Sequence, residues 1–217
     1  GLAIFSSSQT NDDAFISFRY SRNLVDGNGL VFNPGERVEG YTNFLWVMII
    51  ALFMPFSDPV LISKILGVLC NLTLIYTLWL FCRRYQGWLI WIAPLYVTLD
   101  PSVLRWGTRG LETSLFGMLL WLGIYLAITP KDDLSTQNKT SSRSIGAGIV
   151  TALATLARPE GFIVAVIVSA ARIVGLTKIG YYRENIYHGN DQVDGSNSTA
   201  GYLLKYWIGY CAILVPY

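Results

Sequence analysis

The sequence predicts an all-α protein, a polytopic transmembrane helical bundle with an outside loop carrying short juxtamembrane helices. Three observations predict it. The chain is 53% hydrophobic and only 14% charged, whereas soluble domains carry roughly 25% charged residues. Apolar runs of about the length needed to cross hydrocarbon recur along it. The charges are bunched: Asp12, Asp13, Arg19, Arg22, Asp26, Glu36, Arg37 and Glu39 put eight of the thirty between Ser6 and Asn43. Charge placed beside a membrane must be hydrated or paired, so such a segment points to chemistry or to a charged ligand.

Gly1–Phe5 reads as the tail of an apolar helix, and Tyr202–Tyr217 stops inside another. Residues 1–217 therefore read as a single transmembrane domain truncated at both ends, with 6–59 as its first outside loop. Asp12-Asp13 precedes a helix over Ala14–Val25, whose apolar stripe is Ile16, Tyr20 and Leu24, with Gly27 as its stop. Asn33-Pro34-Gly35-Glu36 has Pro and Gly placed for a type II turn. Phe44–Phe56 is too short for an upright span and reads as an interfacial helix. Val60–Cys82 is the clearest span, with Lys64 its one charge and Arg83-Arg84 at its cytoplasmic end. Trp88–Leu99 ends at Asp100-Pro101, and Gly110–Thr129 reads as a second full span. Ser144–Ala157 and Gly161–Leu176 flank Arg158-Pro159-Glu160. Pro130–Ser144 and Thr177–Gly201 read as polar loops.

If Phe44–Phe56 does not cross, alternation puts those two loops in the cytoplasm. The Asp-Asp segment, Arg105–Thr113 and Arg158–Glu160 then meet on the outer face. If it does cross, that convergence is lost.

Other chemistries are excluded. A net charge of +2 with no basic run longer than Arg83-Arg84 argues against nucleic acid as a partner. Cys70, Cys82 and Cys211 lie in apolar segments without zinc-site spacing. His188 stands alone, so a histidine metal site is excluded. There is no phosphate-binding glycine loop and no Ser-His-Asp set. The glycosylation-type triplets at Asn71, Asn138 and Asn197 read as chance.

Each charged motif has two readings. One of Asn11, Asp12 and Asp13 caps the following helix. Alternatively, one carboxylate is a general base while the other orients it or shares a divalent cation. Tyr41 and Trp46 read as interfacial anchors, or, with Glu36, Arg37 and Glu39, as part of a sugar or headgroup site. At the outer end of the Gly110 span, beside Arg105 and Arg109, Glu112 faces the dipole at a helix start, or supports an arginine that grips phosphate through its planar fork. Arg158 and Glu160 form an ion pair at a bend or wall an anionic ligand site.

The runs Asp12–Leu24 (DDAFISFRYSRNL) and Gly29–Trp46 (GLVFNPGERVEGYTNFLW) resemble the opening of polytopic GT-C-type glycosyltransferases. The likeness is greatest to bacterial arabinofuranosyltransferase and mannosyltransferase-like proteins. Gly110-Leu-Glu-Thr113 and Ala157-Arg-Pro-Glu-Gly161 are similar to later motifs of that group. The resemblance implies a sugar donor on polyprenyl phosphate, a glycan or lipid acceptor, and a catalytic Asp outside a bacterial inner membrane. It implies Asp12 as base and Asp13 as partner. Arg109 and Arg158 are the implied phosphate ligands, with Glu112 and Glu160 supporting. Arg19, Glu36, Arg37, Glu39 and Tyr41 complete the implied donor site. The rival readings are a transporter or flippase for an anionic lipid-linked substrate, which needs no base, and a membrane scaffold.

Overall fold

The computed structural model describes residues 10–36, 40–83, 89–128, 137–173 and 195–215. Among these every regular element is a helix and there is no strand: α1 (Asp12–Val25), α2 (Phe44–Phe53), α3 (Pro59–Cys82), α4 (Leu89–Leu99), α5 (Pro101–Thr108), α6 (Thr113–Ile128), α7 (Gln137–Ala157), α8 (Gly161–Ile173) and α9 (Gly195–Leu214). They fall into two units, one of residues 1–118 with 156–159, the other of residues 119–155 with 160–217.

In the first unit, α1 packs on α2, and α3 packs on α4 and α5. Asn11 is the N-cap of α1, accepting the Asp13 N–H at 3.5 Å, so Asp12 and Asp13 occupy the first turn and neither caps. At the other end Gly27 takes φ +80°, a left-handed stop that only glycine adopts without strain. The packed face differs from the expected stripe. Ala14, Ser17, Phe18, Tyr20 and Ser21 are buried, while Phe15 and Ile16 are 46% and 40% exposed. Small residues at this spacing let the backbones approach: Ser21 Oγ–H lies 2.9 Å from both the Ser17 and the Val47 carbonyl oxygens. Larger stripe residues would hold α1 off α2.

Ten residues make α2 about 15 Å long, half the hydrocarbon thickness. Trp46 on it is not an interfacial anchor: it is 1% exposed. The same rise gives the 24 residues of α3 about 36 Å, enough to cross.

Fewer helices than expected are long and apolar enough to cross a membrane. Among the described residues, α3 alone is long and apolar enough to cross by itself, and α5 with α6 makes a second span only if their 119° bend is one path. The expected Gly110–Thr129 span shrinks to the 16 residues of α6. Asp100 starts a separate helix here, its Oδ1 accepting the Ser102 N–H at 2.8 Å with Pro101 in the first turn. Gly110 then turns the chain at φ +86°.

The second unit has a core of Ala127, Ala147, Ala152, Ala165, Val168, Tyr202, Tyr206 and Tyr210. The two polar loops are shorter than expected. Helix α7 begins at Gln137 and α9 at Gly195, because an apolar helix once nucleated extends into polar residues at one hydrogen bond per residue. The remainder of both loops lies outside the described residues.

Candidate active site

The N-terminal end of α1 meets the turn between α5 and α6 inside the first unit. The Asn11 N–H donates to the Arg109 carbonyl at 3.0 Å, which sets Asp12 and Asp13 one and two residues from that contact. Both aspartates are exposed. Beside them Gly110 is buried, and a Cβ there would lie 3.2–3.3 Å from Ser63 Oγ, Thr10 Cγ2 and Ala14 Cβ. Both the left-handed backbone and the crowding demand glycine. Trp46 Nε1–H also donates to the Gly110 carbonyl at 3.1 Å. The turn is thus held by two hydrogen bonds from residues far away in sequence.

Glu112 is the polar hub of this corner. Its Oε2 accepts the Asn43 Nδ2–H at 3.0 Å, and its Oε1 lies 3.6 Å from Arg158 Nε. The carboxylate is 13% exposed and the arginine 38%. The Glu112 backbone carbonyl caps α6 by accepting the Phe116 N–H at 2.8 Å. Arg158 also lies over the Phe116 ring at 5.8 Å, and Arg109 over Trp106 at 5.4 Å. Glu112 was expected beside Arg109; the arginine it pairs with is Arg158. Glu160 is exposed at the start of α8, in the second unit, where its carbonyl accepts the Ile163 N–H.

The remaining predicted residues build the loop that follows α1. Arg19 Nε–H donates to the Phe32 carbonyl at 2.9 Å, its Nη2 donates to Asn33 Oδ1, and its guanidinium stacks 4.2 Å from the Phe32 ring. Two of its five donors therefore hold the loop. Asn23 Nδ2 adds bonds to the Val31 and Phe32 carbonyls at 2.7 and 2.9 Å. The type II turn is present: Glu36 N–H reaches the Asn33 carbonyl at 3.1 Å with Gly35 at φ +92°. The Glu36 carboxylate accepts the Asn33 Nδ2–H at 3.0 Å. Arg37 and Glu39 lie outside the described residues. Tyr41 packs edge-on against Tyr20 at 4.7 Å, and the Tyr20 hydroxyl accepts the Gly40 N–H at 2.9 Å.

Among the described residues no three His, Cys, Asp or Glu side chains gather at a common point. Asp12 and Asp13 could take a cation only in the magnesium manner, one or two carboxylates completed by ligand phosphate and water.

Sequence reasoning missed Asn43, Trp46 and Ser17 as parts of this corner. Nothing in the sequence says that the Asn43 side chain reaches a residue 69 positions away.

The chain is similar to two curated proteins. It is 30% identical over 128 residues to the terminal β-(1→2)-arabinofuranosyltransferase of Corynebacterium glutamicum, covering 58% of this chain and 15% of that protein. It is 30% identical over 129 residues to the terminal β-(1→2)-arabinofuranosyltransferase of Mycobacterium tuberculosis, covering 51% of this chain and 20% of that protein. The chain thus spans a fifth or less of the relatives it matches. No family model and no solved structure matches it.

Proposed function

We propose that this chain carries the catalytic corner of a membrane glycosyltransferase. It moves an arabinofuranose or mannose-like sugar from a polyprenyl-phosphate donor to a glycan or lipid acceptor outside the cytoplasm. One observation carries the reading: the turn Arg109–Glu112 is tied on one side to the Asp12-Asp13 end of α1 and on the other to Arg158. A base and two arginines then serve one site, as transfer from an anionic leaving group requires. The similarity to two arabinofuranosyltransferases supports the same class of reaction.

In this reading Asp12 takes the proton of an acceptor hydroxyl as its oxygen attacks the anomeric carbon. The bond from that carbon to the phosphate oxygen breaks, and its electron pair leaves with the polyprenyl phosphate. Arg109 and Arg158 stabilise that charge, preorganised by Trp106, Phe116 and Glu112. Asp13 orients Asp12, or the two would together hold a divalent cation. A cation there would supply charge neutralisation when bound.

Asp12→Asn in the full-length protein tests the base. Asparagine keeps the shape and Asn11 remains the cap, so folding survives. Transfer should fall by about a hundredfold to ten-thousandfold, the usual worth of a positioned base, with donor binding retained. Near-native turnover would eliminate the base and leave a transporter of lipid-linked substrates as the better reading. Sidedness is tested separately. Single cysteines at exposed Asn28 and Arg83, with the native cysteines replaced, should label from opposite sides of the membrane. Labelling of both from one side would mean that α2 and α3 together return the chain to its starting face.

A further inference from the structure

Asn43 occupies the N-cap position of α2, yet its side chain makes no capping hydrogen bond. An asparagine at this position ordinarily stabilises the helix by accepting one of its free N–H groups. Here the carboxamide is turned the other way. Nδ2 donates at 3.0 Å to Glu112 Oε2 and at 3.0 Å to Ser17 Oγ. The orientation is chemically determined, because an ionised carboxylate only accepts, so nitrogen must face Glu112. Oδ1 is consequently buried without a hydrogen-bond partner, on a residue only 8% exposed. An orphaned acceptor of this kind is destabilising, because it has lost its water without gaining a donor. The residue therefore gives up its cap and leaves one end unsatisfied, and what it gains is the grip on Glu112.

We propose that Asn43 is a positioning residue for the anionic-ligand site, clamping the Glu112 carboxylate so that its other oxygen faces Arg158. The clamp is steep in geometry. Glu112 has two oxygens, Asn43 holds one, and the arginine meets the other. Without the amide, the carboxylate can rotate about its last torsion, and Arg158 loses the partner that aims it. Ser17, 3% exposed on the buried face of α1, fixes the amide in turn and so links the aspartate-bearing helix to the arginine. The inference rests on the proposed function for the identity of the anion, a polyprenyl phosphate, but the clamp is a property of this corner whatever the reaction.

Asn43→Asp tests it, because it keeps the shape and replaces the donor by a second carboxylate. At that distance two ionised carboxylates repel, while Arg158 at 3.6 Å favours the ionised form of Glu112. One proton held between the two carboxylates restores the clamp, so the clamp is present at low pH and lost as pH rises. Two readouts are taken on the full-length protein in detergent across pH, each relative to native: thermal unfolding, and binding of a polyprenyl phosphate without sugar. Asn43→Asp should unfold near the native temperature in mild acid and progressively below it at higher pH. Its affinity should be near native in mild acid and at least about tenfold weaker in mild alkali, the equivalent of one pKa unit. Asn43→Ala should bind weakly at every pH. Unfolding of Asn43→Asp with the native pH dependence would overturn the clamp itself. A shifted unfolding profile with a flat binding ratio would reduce it to a structural bond. Native protein that binds but does not transfer sugar would sink the transferase reading and leave the clamp standing; native protein that fails to bind would overturn the polyprenyl-phosphate reading and the positioning role toward it, while the unfolding profile alone decides the clamp.

Discussion

Both units bring helices together on small residues, but the first is also tied across long sequence separations by directional polar contacts, whereas the second packs tyrosines among its small residues. In the first, Asn11, Asn43 and Trp46 reach 64–98 residues along the chain to the turn at Arg109–Glu112. In the second, Ala147, Ala152 and Ala165 surround the buried rings of Tyr202, Tyr206 and Tyr210. Gly148 and Gly209 sit where an added Cβ would collide with the backbone of Tyr206 and Ile145 respectively. Packing through small residues is how helices associate where lipid removes the hydrophobic drive. Directional bonds are costlier to bury and specify position rather than mere proximity. The contrast teaches where position matters: at the corner bearing Asp12, Asp13 and Arg158.

Arg109→Lys and Arg158→Lys break the comparison most sharply. Lysine keeps the charge and loses the planar fork. If these arginines grip a donor phosphate, each variant should bind polyprenyl phosphate about tenfold or more weakly, the loss of one charge-assisted hydrogen bond. Its unfolding temperature should change little. Unchanged affinity in both folded variants would make Arg158 a structural partner of Glu112 and nothing more.

Gly110→Ala sharpens the same point. The left-handed backbone and the three neighbours at 3.2–3.3 Å should cost about 1–3 kcal/mol of stability. Because the turn carries both Arg109 and Glu112, donor binding should weaken as well. A variant that loses stability yet binds donor normally would separate the turn from the site.

Tyr210→Phe is the smallest and the control. It removes the bond between the Tyr210 hydroxyl and Thr155 Oγ1 at 3.0 Å, worth about 1 kcal/mol. Unfolding should move slightly and donor binding should not move. A loss of binding here would show that the second unit is not merely packing.

Composition and local chemistry determined a good deal by themselves. Low charge and long apolar runs specified an all-helical chain. Pro34-Gly35 specified a type II turn, Gly27 the end of α1, and the 23 residues of Val60–Cys82 a helix long enough to cross a membrane. These are local decisions, set by φ preferences and by runs of apolar side chains within a few turns. The rest belonged to the tertiary structure. Only packing chose Ser17 and Ser21 over Ile16 for the buried face of α1, because close helix approach outweighed the burial of one larger side chain. Only the fold took Trp46 from the interface into the core and broke the Gly110 span at a left-handed turn. And only the fold chose Arg158 as the partner of Glu112, 46 residues away. A long-range pair is selected by where helices bring two side chains, which no local pattern encodes.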